Sequence, residues 1–341
     1  FNDGSRFTPD FGADFKVGLT SNLTLNGTVN PDFGQVEVDP AVVNLSDFET
    51  FFPEKRPFFI EGENIFRQFG RGGANNNWGF NFGNPQFFYS RRIGRAPQGS
   101  LSSNDYARVS DGTRILGAAN ITGRIGEGWN VGMIQSVTGR SKADIQLAGD
   151  KSKVEVEPHS YYGVYRGQRE LNCGRQAIGF MSTATARNFG DDRLRDQITA
   201  SALTFAVDGY TFIGKDRDYV LTGFVGGSRV AGNETRMTSL QRSSLHYFGR
   251  PDSDYLEVDS AATSLEGTAA RFALNKQNGR VQFNAALGYL SPGFDISDVG
   301  FMFRTNIING HVVVGYTWPD PGKIFRSRYH FLSFFNSADF D

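Results

Sequence analysis

A single cysteine, Cys173, stands among 341 residues. No internal disulfide can form, and no zinc or iron–sulfur centre can be built from thiolates. A large β-structure needs no such staples, and Cys173 reads as an ordinary strand-end residue. Charge of one sign is also missing: 35 basic residues face 36 acidic ones. This balance leaves no electrostatic footprint for nucleic acid. No apolar run approaches the ~20 residues of a membrane-crossing helix. Long helical periodicity is almost absent, with short candidates only at 39–52 and 233–248. The histidines at 159, 246, 311 and 330 lack metal-ligand spacing, no GxSxG elbow occurs, and GRGGANNN at 70–77 has no helix behind it. No cofactor is implied. The chain opens on FNDGSRF without a Met and stops just after a strand-like HFLSFFNSADFD. The expectation is a piece of something longer, so a missing signal peptide says nothing about location.

What the chain does have is aromatics, at 14% with 32 Phe, and 41 Gly. Val281, Phe283, Ala285, Leu287 and Tyr289 alternate with polar or small residues, and Asn278-Gly279 before them marks a tight hairpin turn. Similar period-two segments occupy 14–20, 23–30, 113–124, 129–138, 161–170, 175–187, 200–213, 219–230 and the stretch around 312–318. Roughly a dozen strands of about 9–13 residues, joined as neighbouring hairpins, make an all-β antiparallel up-and-down protein. The long connections fall at 31–112, an irregular insertion, and at 231–259, a loop with a candidate short helix.

Three architectures fit such a list: a soluble sandwich, a soluble barrel or propeller, and a transmembrane barrel. The strands are longer than sandwich strands, and the less apolar face carries Gly, Ala, Ser, Thr, Asn and Gln. Aromatics gather near strand ends, as at Tyr161-Tyr162, Tyr219, Tyr316 and Trp318. These features favour a transmembrane β-barrel, incomplete at both chain ends, whose hairpins satisfy every backbone polar group.

Within the insertion, FFPEKRPFFIEGENIFRQFG at 51–70 concentrates aromatics and charges. Two closely spaced prolines predict an irregular backbone there, with Arg56 pushed extended by Pro57. Glu54, Lys55, Arg56, Glu61 and Glu63 are candidate interior residues, with Arg91, Arg92 and Arg95 of SRRIGR as their expected ion-pair partners. The block reads either as a plug or constriction inside the barrel or as a cap on its end. Asp32, Glu37 and Asp39 offer oxygen ligands for Ca²⁺ or a carboxylate pair for glycoside hydrolysis, in a spacing that matches no EF-hand loop. Trp78, Phe80, Phe82, Phe87, Phe88 and Tyr89 could stack on sugar rings or pack on one another.

The stretch GADFKVGLTSNLTLNGTVNPDFGQVEVDPAVVNLSDFETFFPEKRPFFIEGENIF, with PQFFYSRRIGR, SSLHYFGRPDSD, LSPGFDISDVGF and WPDPGKIFR downstream, resembles a family of Bacteroidota-type outer-membrane proteins of unknown function. The resemblance spans nearly the whole chain. It implies a C-terminal β-barrel in a Gram-negative outer membrane, after a module similar to carbohydrate-binding family nine that would precede Phe1, with further strands after Asp341. Outer-membrane lipid would be the partner, with carbohydrate reached only through the preceding module and a larger membrane complex also open. The expectation is therefore a channel, transporter or membrane anchor without chemistry of its own. The alternative is a carbohydrate-active hydrolase with carboxylates in the 32–95 region.

Overall fold

The computed structural model describes residues 11–31, 42–74, 85–102 and 104–341. In chain order the strands are β1 (Ala13–Thr20), β2 (Leu23–Val29), β3 (Tyr106–Arg108), β4 (Ile115–Ile125), β5 (Trp129–Thr138), β6 (Ser141–Leu147), β7 (Asp150–Glu157) and β8 (His159–Leu171). There follow β9 (Gln176–Asn188), β10 (Ser201–Ile213), β11 (Tyr219–Ala231), β12 (Ser264–Lys276), β13 (Val281–Leu290), β14 (Ile307–Trp318) and β15 (Arg328–Ala338). Twelve of them form one sheet in the order β1-β2-β4-β5-β8-β9-β10-β11-β12-β13-β14-β15, every pair antiparallel. The chain is thus all-β and largely antiparallel, as its alternation predicts. Among the described residues no pairing joins β1 to β15, so the sheet seen is an open ladder.

The register explains which side chains face where. In β10, Leu203 and Phe205 are 55% and 54% exposed, while the intervening Thr204, Ala206 and Asp208 are 3%, 0% and 4% exposed. The same inversion recurs in β14, where Ile308, Val312 and Val314 face out and Asn309 and His311 are buried. In β12, Phe272 faces out between buried Arg271 and Ala273. A water-facing sheet does the opposite, hiding its apolar row and wetting its polar one.

The insertion between β2 and β4 lies on the inner face and supplies much of its packing. Phe59, Phe66, Phe69, Phe87 and Ile93 are buried with Ile134, Val164, Met181, Ala206 and Phe224 of the sheet. Burying each such phenylalanine contributes about 1.5–3 kcal/mol. The segment touches strands far apart in the ladder. Glu61 pairs with Lys16 of β1, Asn120 Nδ2 of β4 donates to Glu61 O at 3.0 Å, and Gln277 Nε2, just past β12, donates to Gly73 O at 2.7 Å. The sheet therefore curls around the insertion.

Local structure departs from expectation in several places. The 51–70 block is not wholly irregular: α1 (Pro57–Ile60) and α2 (Asn64–Arg67) each make one turn. Pro57 occupies the first turn of α1, where its missing amide removes no helix bond, and Arg56 before it is extended (φ −77°, ψ 120°). Residues 42–52 carry no helix, and 39–41 lie outside the described residues. A helix does form in the second long loop: α3 (Glu234–Gln241), capped by Asn233, whose side chain accepts from the Arg236 amide at 2.9 Å. The Asn278-Gly279 turn is part of a four-residue connection, Gln277 to Arg280, with Gly279 at φ 89°. A small sheet, β3-β6-β7, stands apart around Ala143, Ile145 and Val156. Its charged hairpin had no counterpart in the sequence reading.

Candidate functional site

The structure brings residues 51–70 and 85–95 together, but through different bonds from those expected. Glu54 binds Arg56, two residues away: Arg56 Nε and Nη2 donate to its two oxygens at 2.8 and 2.7 Å, and Ser90 Oγ donates at 2.6 Å. Both side chains of this pair are nearly buried. Burial alone would raise the Glu54 carboxyl, but the hydrogen bonds and charge of Arg56, helped by Ser90, outweigh it and hold the pKa below 4.5. Arg56 also donates to the Ile93 and Ser90 carbonyls at 2.7 and 2.9 Å, tying the two arms of the insertion.

Of the expected arginine partners, Arg91 donates to Pro53 O at 2.8 and 2.9 Å, and Arg92 forks onto Glu49 at 2.7 and 2.6 Å. Neither meets Glu61 or Glu63. Glu61 is held low by its bond to Lys16, and Glu63 lies 3.6 Å from Arg67, one turn along. Lys55 is half-buried beside them. Glu54 and Glu63 help line a cavity of about 310 Å³ with Phe66, Arg67, Phe69 and Arg71. The aromatics of the second arm pack on one another: Phe87 lies 4.7 Å from Phe69, Phe88 5.3 Å from Phe66, and Tyr89 5.0 Å from Phe51, centre to centre. Trp78, Phe80, Phe82, Asp32, Glu37 and Asp39 lie outside the described residues. Among the described residues no three His, Cys, Asp or Glu side chains gather as a metal site requires.

Two ionic centres on the inner face escaped the sequence reading. In the first, Arg166 of β8 forks onto Asp208 of β10, Nη1 to Oδ1 at 2.6 Å and Nη2 to Oδ2 at 2.8 Å, with both side chains 1% exposed. The Gly70 amide adds a third bond to Oδ2 at 2.9 Å, and Arg166 Nε reaches back to Ile65 O at 3.3 Å. Gly70 sits at φ 69°, and a Cβ there would lie 2.7 Å from the Phe224 ring, so glycine is required. The sign that could have exposed this centre is parity: Arg166 and Asp208 share the inward phase with Tyr162, Val164, Thr204 and Ala206.

The second centre lies in a cavity of about 280 Å³ between the insertion, α3 and the β13–β14 connection. Arg187 Nη2 approaches Asp298 Oδ1 at 2.6 Å, and Arg187 Nη1 donates to Thr199 Oγ1 at 2.6 Å, which donates on to Asp298 at 2.9 Å. His246 Nε2 lies 3.0 Å from Asp295 Oδ2, and the Ser297 amide donates to Oδ1 at 2.7 Å. Burial would raise the Asp295 carboxyl, but His246 and Ser297 keep it below its usual range. Arg95 and Arg236 also reach this cavity.

The model of one protein family, a domain of unknown function (DUF5916), matches residues 1–340, and the chain belongs to that family. No curated protein and no solved structure matches the chain.

Proposed function

We propose that this member of the DUF5916 family is an outer-membrane β-barrel protein, with the curled sheet as lipid-facing wall and residues 51–70 of the insertion, with 85–95 packed on them, as its plug. The observation that carries the reading is the outer face of the sheet: apolar side chains stand outside along strand after strand, while the inner face mixes polar and small residues with the large apolar ones that meet the insertion. A contiguous exposed apolar face needs an apolar solvent or a partner. Strand length agrees with lipid. Thirteen residues, as in β8 to β12, rise about 43 Å and cross about 30 Å of bilayer at a ~45° tilt. In hydrocarbon the outer edges of β1 and β15 must also be paired, so closure of the ring is part of the proposal.

A filled interior favours a gated channel or transporter over an open pore. The triply bonded Asp208 between wall and plug favours a second reading, a fixed stopper, in which the barrel only anchors a surface carbohydrate-binding module. Both readings assign no chemistry to the chain; among its carboxylates Glu54 and Glu61 are committed to Arg56 and Lys16.

Val225, midway along β11, is 49% exposed and pairs across the sheet with Val207 at the middle of β10. Val225→Arg at a bilayer midplane costs about 2–4 kcal/mol; on a water-facing sheet it costs almost nothing. The expected result is loss of the heat-modifiable folded band in bilayers for Val225→Arg, with the wild type extracted from membranes only by detergent. A variant as stable as wild type, or a native chain freely soluble in buffer, would refute the reading.

A further inference from the structure

The cavity of the second ionic centre holds guanidinium groups that its own carboxylates leave incompletely bonded. Three of the four carboxylates that line it are already bonded, and the fourth, Asp47, is exposed and pairs with no cation among the described residues. Glu49 takes both fork nitrogens of Arg92, Asp298 accepts from Thr199 and touches Arg187, and Asp295 accepts from the Ser297 amide beside His246. Two guanidinium groups on its lining remain, with Arg187 behind them also keeping its Nε unbonded. Arg95, from the second arm of the insertion, and Arg236, from the first turn of α3, both line the cavity. Among the described residues the enclosed Nε atom of each has no hydrogen-bond partner.

A guanidinium with an orphaned, enclosed N–H is costly, because the lost water bonds are not replaced. Burial pushes both arginines below their ordinary pKa, with Arg187 and Arg92 adding like charge around Arg95. The Asp295 and Asp298 charges attract Arg236 from a distance, but their oxygens are taken. Such an arrangement is stable when a ligand completes it, and guanidinium forks match oxyanions in both shape and charge.

We propose that Arg95 and Arg236 form a binding site for a small oxyanion, a phosphate or carboxylate group carried on a molecule no larger than a monosaccharide. The volume of about 280 Å³ sets that upper size. Ser243 and Gln98 on its lining donate to Leu240 O and Glu157, which leaves their side-chain oxygens to accept from hydroxyls. Its lining comes from the insertion and from the connections after β9, β11 and β13, with none of the outward apolar rows of the strands, which suits a water-soluble anion. The site does not depend on the membrane reading, since the cavity exists whichever solvent bathes the outer face.

Isothermal titration of the full chain with inorganic phosphate, glucose 6-phosphate, glucuronate and glucose tests it. The wild type should bind at least one of the anions and not glucose; which anion binds identifies a phosphoryl or a carboxylate ligand. Arg95→Gln and Arg236→Gln should each weaken binding about tenfold or more, since each deletes a charged donor. Arg95→Lys should retain part of the affinity, and Arg229→Gln, an exposed guanidinium paired with Glu266 on the sheet, all of it. No heat from any anion with the wild type overturns the proposal. So does unchanged affinity in the Arg95→Gln/Arg236→Gln double variant with a wild-type melting curve.

Discussion

The inner face carries two clusters of buried charge, and they are finished to different degrees. At Arg166–Asp208 every carboxylate oxygen is occupied and the backbone of the insertion supplies the last bond. At Arg95 and Arg236 enclosed N–H groups are left over. The first sits mid-strand on β8 and β10 and the second among the insertion and the connections after β9, β11 and β13, and both are largely buried, so burial alone does not separate them. The difference lies in their partners. A closed cluster fastens one part of a chain to another, whereas an unfinished one leaves bonds for something that arrives later.

The sharpest way to break this contrast is Asp208→Ala. It strands a buried guanidinium and frees the Gly70 amide, and should cost about 3–5 kcal/mol in denaturant unfolding. The Arg166→Met/Asp208→Leu double variant should recover most of that loss, because an apolar pair of similar bulk needs no compensation. A loss below 1 kcal/mol for Asp208→Ala would show that the fastening is nominal.

Glu54 should give the next largest effect. Its folded-state pKa is depressed, so its contribution is complete above the ordinary 4.5 and is lost as pH falls from there through the lower folded value. Melting curves taken from neutral pH downward should therefore fall more steeply below 4.5 for wild type than for Glu54→Gln. At neutral pH that variant should be destabilised by about 1–3 kcal/mol. Equal slopes would mean that Arg56 does not stabilise the carboxylate.

The smallest effect is expected at the unfinished cluster. Arg95→Gln without any anion should change stability by no more than about 0.5 kcal/mol, or raise it, since an unsatisfied charge is being removed. If it destabilises the chain as much as Asp208→Ala does, the two clusters are alike and the distinction fails.

Much of the wall was legible because its signal is local. Val281 to Tyr289, or Leu203 to Val207, alternate with period two, and neighbouring segments become neighbouring strands when connections are short. The insertion was legible only as a place. Its bonds were not, because Glu54 finds Arg56 through the turn that Pro57 imposes, not through distance in composition. Arg92 reaches Glu49 for the same kind of reason: the short 3₁₀ turn Ser90–Arg92 aims it away from Glu61. The β6–β7 hairpin went unread because Lys142, Asp144, Lys151 and Lys153 make a charged stretch that resembles a loop, although Ala143, Ile145 and Leu147 alternate with polar residues there. Arg166 and Asp208 could have been found by asking which charged residues share the inward phase of two strands two places apart.

The position of the insertion in the chain has its own consequence for how the molecule is assembled. It leaves the ladder after the second strand of the sheet, yet it contacts Arg166, Asp208, Phe224 and Gln277, all of which come later. Synthesis runs from the N-terminus, so the insertion exists before the later strands that it contacts. Each later hairpin can be laid against a piece already in place.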